Sequence, residues 1–178
     1  MNVAFHALTG LAIGQALACP VNDQAAASTV DDRGPKERPR LAVYAGALIL
    51  GVMAHGVLDG LPHEYPFRAV GDTLATAALV LPWLRFIQPR FRALLIVALI
   101  GTVLPDVIDH VPRDLNKHLG LHLPELTKVF PWHHRGGSGS LSGDSIPLDA
   151  RVASLANHVI VVTFCAVTIL RTRRVLRQ

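Results

Sequence analysis

The chain has 178 residues, which is enough for one domain of ordinary size and too short for two. Hydrophobic residues make up 51% of it and charged residues 17%, and the net charge is only +4. This composition argues against a disordered protein and against a nucleic-acid-binding protein with a basic face. The two cysteines, Cys19 and Cys165, lie in apolar stretches and are too few for a disulfide scaffold or a cysteine-based zinc cluster.

Five apolar stretches predict membrane-spanning helices. In chain order they cover residues 2–18, 41–61, 69–87, 93–111 and 151–170. Each has about the 17–21 residues that a helix needs to cross a hydrocarbon core ~30 Å thick. We therefore expect residues 1–178 to form a single all-α domain, an integral membrane bundle of about five transmembrane helices. Buried helices of a soluble all-α protein are the alternative.

The first stretch differs from the others in its polar content. It carries His6, Thr9 and Gln15, and its end at Ala16-Leu17-Ala18 imitates a signal-peptide cleavage site. No positive charge precedes it, although a signal peptide needs one, so we expect a retained helix. A cleaved or interfacial segment is the alternative.

The connecting segments predict an orientation. Eleven basic residues lie on the side of the 19–40 linker, the 88–92 turn and the C-terminal tail, against six on the other side. The positive-inside rule then places the linker and the tail in the cytoplasm of a bacterial cell, and the 112–150 loop outside. Leucines spaced along this outer loop predict a short amphipathic helix lying on the bilayer, with His118 and His122 on its surface.

The remaining histidines and several aspartates gather at the outer end of the bundle. His55 and Asp59 are four residues apart, as are Asp106 and His110, so each pair shares one helix face. Ionisable groups are costly at membrane depth unless they face one another or a metal ion. Imidazoles with carboxylates suit zinc, and also manganese or iron. The candidate metal ligands are His6, His55, Asp59, His63, Asp106, His110, His133, His134 and His158.

Simpler interpretations stand beside this one. A single aspartate or histidine at a helix end is commonly an interfacial cap. The run from Trp132 to Arg135 also suits an aromatic and basic patch at the level of the lipid headgroups. The glycine- and serine-rich segment 135–145 is either a plain flexible loop or a lid over the site.

Four motifs carry a family resemblance. They are Met-Ala-His55-Gly-Val-Leu-Asp59-Gly-Leu-Pro-His63, Gly71-Asp72, Leu-Pro-Asp106-Val-Ile-Asp109-His110, and Phe-Pro-Trp-His133-His134-Arg135. With them the chain resembles the predicted membrane-bound metal-dependent hydrolases, which look distantly related to zinc-dependent phospholipases C and single-strand-specific zinc nucleases. The resemblance implies that His55, Asp59 and His63 bind metal. The short step from Asp59 to His63, and the lack of an evident His-x3-Glu step, imply one or two metal ions instead of three.

These observations predict metal-dependent hydrolysis of a phosphoester in a lipid or lipid-linked substrate at the outer membrane surface. The expected partners are the lipid bilayer and that substrate, with no nucleic acid. Asp109 lies to one side of Asp106 on its helix and is the expected general base, and Arg135 is expected to bind the phosphate. The alternatives are a non-catalytic metal-binding protein in transport or metal delivery, and a structural membrane protein.

Overall fold

The computed structural model describes residues 3–27, 39–64, 69–125, 128–134, 139–141 and 146–173. Within these residues the all-α prediction is confirmed, because each of the five apolar stretches forms one helix and a short helix follows the fourth. The helices are α1 (Val3–Ala27), α2 (Leu41–Gly60), α3 (Ala69–Phe86), α4 (Pro89–Asp109), α5 (Val111–Leu119) and α6 (Leu148–Arg171).

Four helices, α1, α2, α4 and α6, are long and apolar enough to cross a membrane. The apolar part of α3 is shorter and covers only Leu74–Phe86. Large apolar side chains point away from the bundle, such as Met53 on α2, which is 60% exposed, and Phe164 on α6, which is 70% exposed. Such continuous apolar surface is unfavourable in water and suits a hydrocarbon environment, which disfavours the soluble alternative.

Helices α1 and α4 form the centre of the bundle, and α4 packs against both α1 and α2. Gly51 of α2 and Gly101 of α4 meet at one crossing, where a Cβ on either residue would press on the facing backbone. Small residues allow two membrane helices to approach this closely. One turn further along each helix, the same approach brings His55 and Asp106 together.

Buried polar contacts fix α1 against its neighbours. The amide of Gln15 donates to the carbonyl oxygen of Ile169 on α6 at 2.8 Å and accepts from the indole N–H of Trp83 on α3 at 3.1 Å. At the start of α1, the carboxylate of Asp72 accepts hydrogen bonds from the backbone N–H groups of Val3 and Ala4 at 2.6 and 3.2 Å. A carboxylate is favourable at this positive end of a helix. These contacts hold the first turn of α1, which carries His6, in place.

The connecting segments differ from expectation in four respects. Helix α4 begins at Pro89, so most of the predicted 88–92 turn is helical. Helix α1 continues through Pro20 to Ala27, so the first part of the predicted 19–40 linker is helical, and residues 28–38 lie outside the described residues. The amphipathic helix α5 ends at Gly120, whose φ of 65° stops it earlier than the leucine spacing indicates. Two short parallel strands, β1 (His63–Glu64) and β2 (Ser140–Leu141), pair where the sequence predicted only loop.

Candidate metal centre

Three elements meet at one end of the bundle. Helix α2 supplies His55 and Asp59, α4 supplies Asp106, and a single turn of 3-10 helix, Pro131–His133, supplies His133. One potential ligand atom from each of these four residues lies within 4.8 Å of all the others. All four residues are buried, and Asp59 is the most exposed of them at 8%.

The distances within this four-residue cluster are short. The Nε2 atoms of His55 and His133 are 3.2 Å apart. The Oδ2 atom of Asp59 lies 3.1 Å from each of these nitrogens. The Oδ1 atom of Asp106 is 3.4 Å from His133 Nε2 and 3.8 Å from His55 Nε2.

Hydrogen bonds behind the cluster decide which nitrogen of each imidazole carries a proton. His55 Nδ1 lies 2.8 Å from the carbonyl oxygen of Thr102, which can only accept, so this nitrogen is the donor. His133 Nδ1 lies 2.7 Å from Oδ2 of Asp109 and donates to that carboxylate. In the neutral form of each ring, Nε2 therefore presents a lone pair to the cluster. A histidine held from behind by a carbonyl or a carboxylate is the usual arrangement of a metal ligand.

Four acceptor atoms therefore converge with no hydrogen-bond donor among them. Two lone pairs and two carboxylate oxygens at these distances repel one another. Protonating both Nε2 atoms would place two N–H groups against each other at 3.2 Å, and protonating one of them would supply a single donor to the neighbouring carboxylates. A metal cation among the four atoms would bind all of them at once. The cluster of His55, Asp59, Asp106 and His133 could hold a metal ion.

His6 extends the cluster on the side of α1. Its Nε2 atom lies 3.2 Å from the other carboxylate oxygen of Asp59, Oδ1, and its ring stacks on His55 with the centroids 4.1 Å apart. Its Nδ1 atom is buried and has no hydrogen-bond partner among the described residues. Asp59 thus presents one oxygen to the four-residue cluster and the other to His6, which is the geometry of a carboxylate able to bridge two ions.

His63 and His158 lie beside the cluster, on a pocket that they share with His6 and Asp59. His63 Nδ1 donates to the carbonyl oxygen of Leu61 at 2.7 Å. Burial lowers the pKa of His63, so its ring is neutral at neutral pH. His158 Nδ1 lies 3.4 Å from the hydroxyl of Ser154. Neither residue belongs to the four-residue cluster.

The two remaining candidate ligands, His110 and His134, lie outside the four-residue cluster. His110 lies at the edge of the cluster, with its Nε2 atom 3.9 Å from Oδ1 of Asp106 and its ring 4.7 Å from that of His133. Burial lowers the pKa of His110, which keeps its imidazole neutral. His134 is exposed, and its Nε2 atom donates to the carbonyl oxygen of Lys128 at 3.2 Å. The tight turn points His133 inward and His134 outward, so only one member of the pair reaches the cluster.

Asp109 does not occupy the position expected of a general base. Its Oδ1 atom accepts from the backbone N–H of Val129 at 2.8 Å, and its Oδ2 atom accepts from Phe130 at 3.0 Å and from His133. Both oxygens are therefore engaged behind His133, and the carboxylate orients that ring while anchoring the 128–133 segment. Arg135, the expected phosphate-binding residue, lies outside the described residues.

Three contributors to the site were not foreseen from the sequence. The carbonyl of Thr102 orients His55, and Lys128 Nζ donates to the carbonyl oxygen of His133. The N–H of Gly139 donates to the carbonyl of Asp59 at 2.7 Å, which ties Gly139 to the end of α2. A Cβ at Gly139 would overlap the carbonyl of Leu61, so only glycine fits there. Backbone contacts of this kind leave no signal in residue type or spacing.

Comparisons of the chain with family models, with curated proteins and with solved structures found no significant match.

Proposed function

We propose that this protein is a membrane-embedded, zinc-dependent hydrolase that cleaves a phosphoester bond in a lipid or lipid-linked substrate. The observation that carries the proposal is the convergence of four potential ligand atoms, from His55, Asp59, Asp106 and His133, with both imidazoles held so that Nε2 faces the other ligands. Imidazole and carboxylate ligands are typical of hydrolytic zinc sites. Asp59 Oδ1 and His6 would contribute to a second ion, as in two-metal phosphoesterases.

Each residue has a distinct role in this proposal. When bound, zinc acidifies a water molecule and polarises a phosphoryl oxygen. The four-residue cluster holds the ion, while Thr102 and Asp109 fix the rotation of the two imidazoles. His110, at the edge of the cluster, would accept or donate a proton in place of Asp109, because both oxygens of Asp109 accept hydrogen bonds behind His133.

The position of the cluster supports a lipid substrate. It lies at the ends of α2 and α4, two helices long enough to cross a membrane, where the headgroup of a bilayer lipid would lie. The distribution of basic residues predicts that this end faces outward. A transport role would require ligands through the depth of the bilayer, whereas the candidate ligands that the structure describes lie at one end of the bundle.

The first test measures metal. Protein purified in detergent should contain zinc by elemental analysis, and His55→Ala should bind it at least about tenfold more weakly, because even residues behind the ligands contribute that much. His118→Ala is the matched control, since His118 is exposed on α5 and should leave the zinc content unchanged. Equal zinc content in the wild type and His55→Ala would contradict the assigned ligand.

The second test measures hydrolysis. The zinc-loaded wild type should hydrolyse phospholipid in mixed micelles, chelation should abolish the activity, and added zinc should restore it. His118→Ala should behave as the wild type, and His55→Ala should be inactive. A fully zinc-loaded wild type that cleaves neither phospholipids nor a chromogenic phosphodiester would favour the non-catalytic metal-binding role.

A further inference from the structure

A small pocket, of about 30 Å³, opens beside the candidate metal centre. Its polar wall contains His6 and Asp59, and its apolar wall contains Phe5, Leu58 and Val161. These residues come from α1, α2 and α6. The pocket is continuous with the centre, because Asp59 turns one oxygen toward His6 and the other toward His55 and His133.

A second and larger cavity, of about 200 Å³, lies deeper in the bundle between the same three helices. Its lining is almost wholly apolar and includes Ile13 and Leu17 of α1, Leu50 of α2 and Phe164 of α6. The hydroxyl of Thr9, which also lines it, is satisfied by the carbonyl oxygen of Phe5 at 2.9 Å. The cavity therefore offers a surface for hydrocarbon and not for a polar ligand.

The two cavities lie one after the other along the axis of α1. On α1 the lining residues recur at every turn, from Phe5 through Thr9 and Ile13 to Leu17, so they lie on one face. Helices α2 and α6 both pack on α1 and contact each other much less, which leaves a groove between them with α1 as its floor. We call this the α1–α2–α6 groove.

The length and openness of the groove match one lipid chain. From Phe5 to Leu17 the helix rises about 18 Å, at about 1.5 Å per residue. One leaflet is half of a hydrocarbon core ~30 Å thick, so the groove spans about the depth of a leaflet. Its walls also face the surroundings, since Leu50 is 44% and Phe164 is 70% exposed. The molecules adjoining such a face in a bilayer are phospholipids.

We infer that the α1–α2–α6 groove holds one acyl chain of a bilayer phospholipid and thereby presents the phosphate of that lipid to the candidate metal centre. The apolar lower cavity receives the chain, and the small histidine-lined pocket marks the end of the groove at which the phosphate lies. The inference rests on the proposed function for the use of the bound lipid, but binding in the groove can be measured without catalysis.

The test uses a phospholipid with a photoreactive diazirine halfway along one acyl chain, incorporated into phosphatidylcholine vesicles with the full-length protein. After irradiation, mass spectrometry locates the labelled peptides. We expect labelling to concentrate on residues 9–17 of α1 and 164–168 of α6. Labelling spread equally over other exposed apolar faces, such as Leu81 of α3, would overturn the inference.

A matched pair of substitutions sharpens the test. Ala16→Phe fills the groove, because Ala16 lines the lower cavity, and should reduce labelling of residues 164–168 about tenfold or more. Ala166→Phe adds the same side chain at an exposed position of α6 and should leave labelling unchanged. Thr168→Phe fills the groove from the opposite wall and should repeat the effect of Ala16→Phe. An unchanged thermal unfolding transition in detergent shows that each variant is folded, and equal labelling in all of them would overturn the inference.

Hydrolysis separates this inference from the proposed function. Ala16→Phe should lower hydrolysis of long-chain phospholipid about tenfold and leave that of a soluble chromogenic phosphodiester unchanged. Groove-specific labelling without any hydrolysis would support the lipid groove and contradict the hydrolase. Phospholipid hydrolysis with no preferential labelling would support the hydrolase and contradict the lipid groove. Displacement of the probe by a prenyl phosphate but not by unlabelled phospholipid would overturn the assignment of an acyl chain.

Discussion

Asp109 supports the candidate metal centre without directing an oxygen into it. Its carboxylate accepts two backbone N–H groups and the Nδ1 proton of His133, so it fixes both the loop and the ring that the loop carries. Asp106, three residues earlier on α4, instead directs an oxygen at the Nε2 atoms of the cluster. The two carboxylates of one helix turn therefore act on opposite sides of His133.

We predict that Asp109→Asn weakens zinc binding about 10–100-fold, the usual effect of losing a partner that orients a metal-bound histidine. Asp106→Asn should weaken it further, because it removes a ligand. Competition with a chromogenic chelator measures both affinities. Unchanged zinc affinity in Asp109→Asn with a large loss of rate would instead restore the general-base assignment made from the sequence.

The sequence predicted the orientation and partners of individual side chains less well than it predicted the helices. The i,i+4 spacing correctly placed His55 and Asp59 on one face, because both belong to one helix with a fixed period. It could not tell which way His133 and His134 point, since their turn has no such period. It could not assign Asp109 either, because its partners, Val129 and Phe130, lie about twenty positions away in an irregular segment.

At the scale of elements, the paired strands β1 and β2 lie directly after the C-terminal end of α2 and are hydrogen-bonded to it through Gly139. His63 N–H donates to the carbonyl of Gly139 at 3.0 Å, while Gly139 N–H donates to that of Asp59. The N–H of Glu64 in turn donates to Ser154 of α6 at 2.8 Å. Through these bonds the two strands connect the end of α2 with α6, beside the pocket that Asp59 and His63 line.

We predict that Gly139→Ala destabilises the protein by about 1–3 kcal/mol, because its methyl group would overlap the carbonyl of Leu61 and force the strands apart. Gly46→Ala is the control, since a Cβ there meets nothing within 4 Å and the exchange should stabilise α2 by up to about 1 kcal/mol. Thermal unfolding in detergent compares the two. An unchanged melting temperature for Gly139→Ala would show that the segment is not held in this way.

The helices themselves could be predicted, whereas their connections could not. Long apolar stretches must be helical to satisfy their backbone groups in a bilayer, so composition and length suffice for α1 to α4 and α6. The extension of α1 past Pro20 and the strands at His63 and Ser140 depend on a few local contacts. Such contacts are decided by tertiary packing, which a pattern of apolar residues does not encode.

At the scale of the whole molecule, polarity is distributed unevenly along the bundle. The buried ionisable cluster lies at the end where α4 finishes and α5 begins, and the turn between α3 and α4, with Arg85, Arg90 and Arg92 in or near it, lies at the other end. Helix α5 directly follows α4 and therefore lies at the same end of the bundle as the cluster. If the helices cross a membrane, the centre and the arginine-rich turn are therefore on opposite sides of it.

We predict that the cluster end faces the outside of the cell, because eleven basic residues belong to the opposite side and six to this one. In a background with both buried cysteines replaced by alanine, Lys117→Cys on exposed α5 should react with an impermeant maleimide on intact cells. Arg85→Cys, at the other end of the bundle, should react only after lysis. The reverse pattern would place the candidate centre at the cytoplasmic surface and its lipid in the inner leaflet, whereas labelling of both positions on intact cells would contradict a membrane-crossing α4, since that helix separates the two ends.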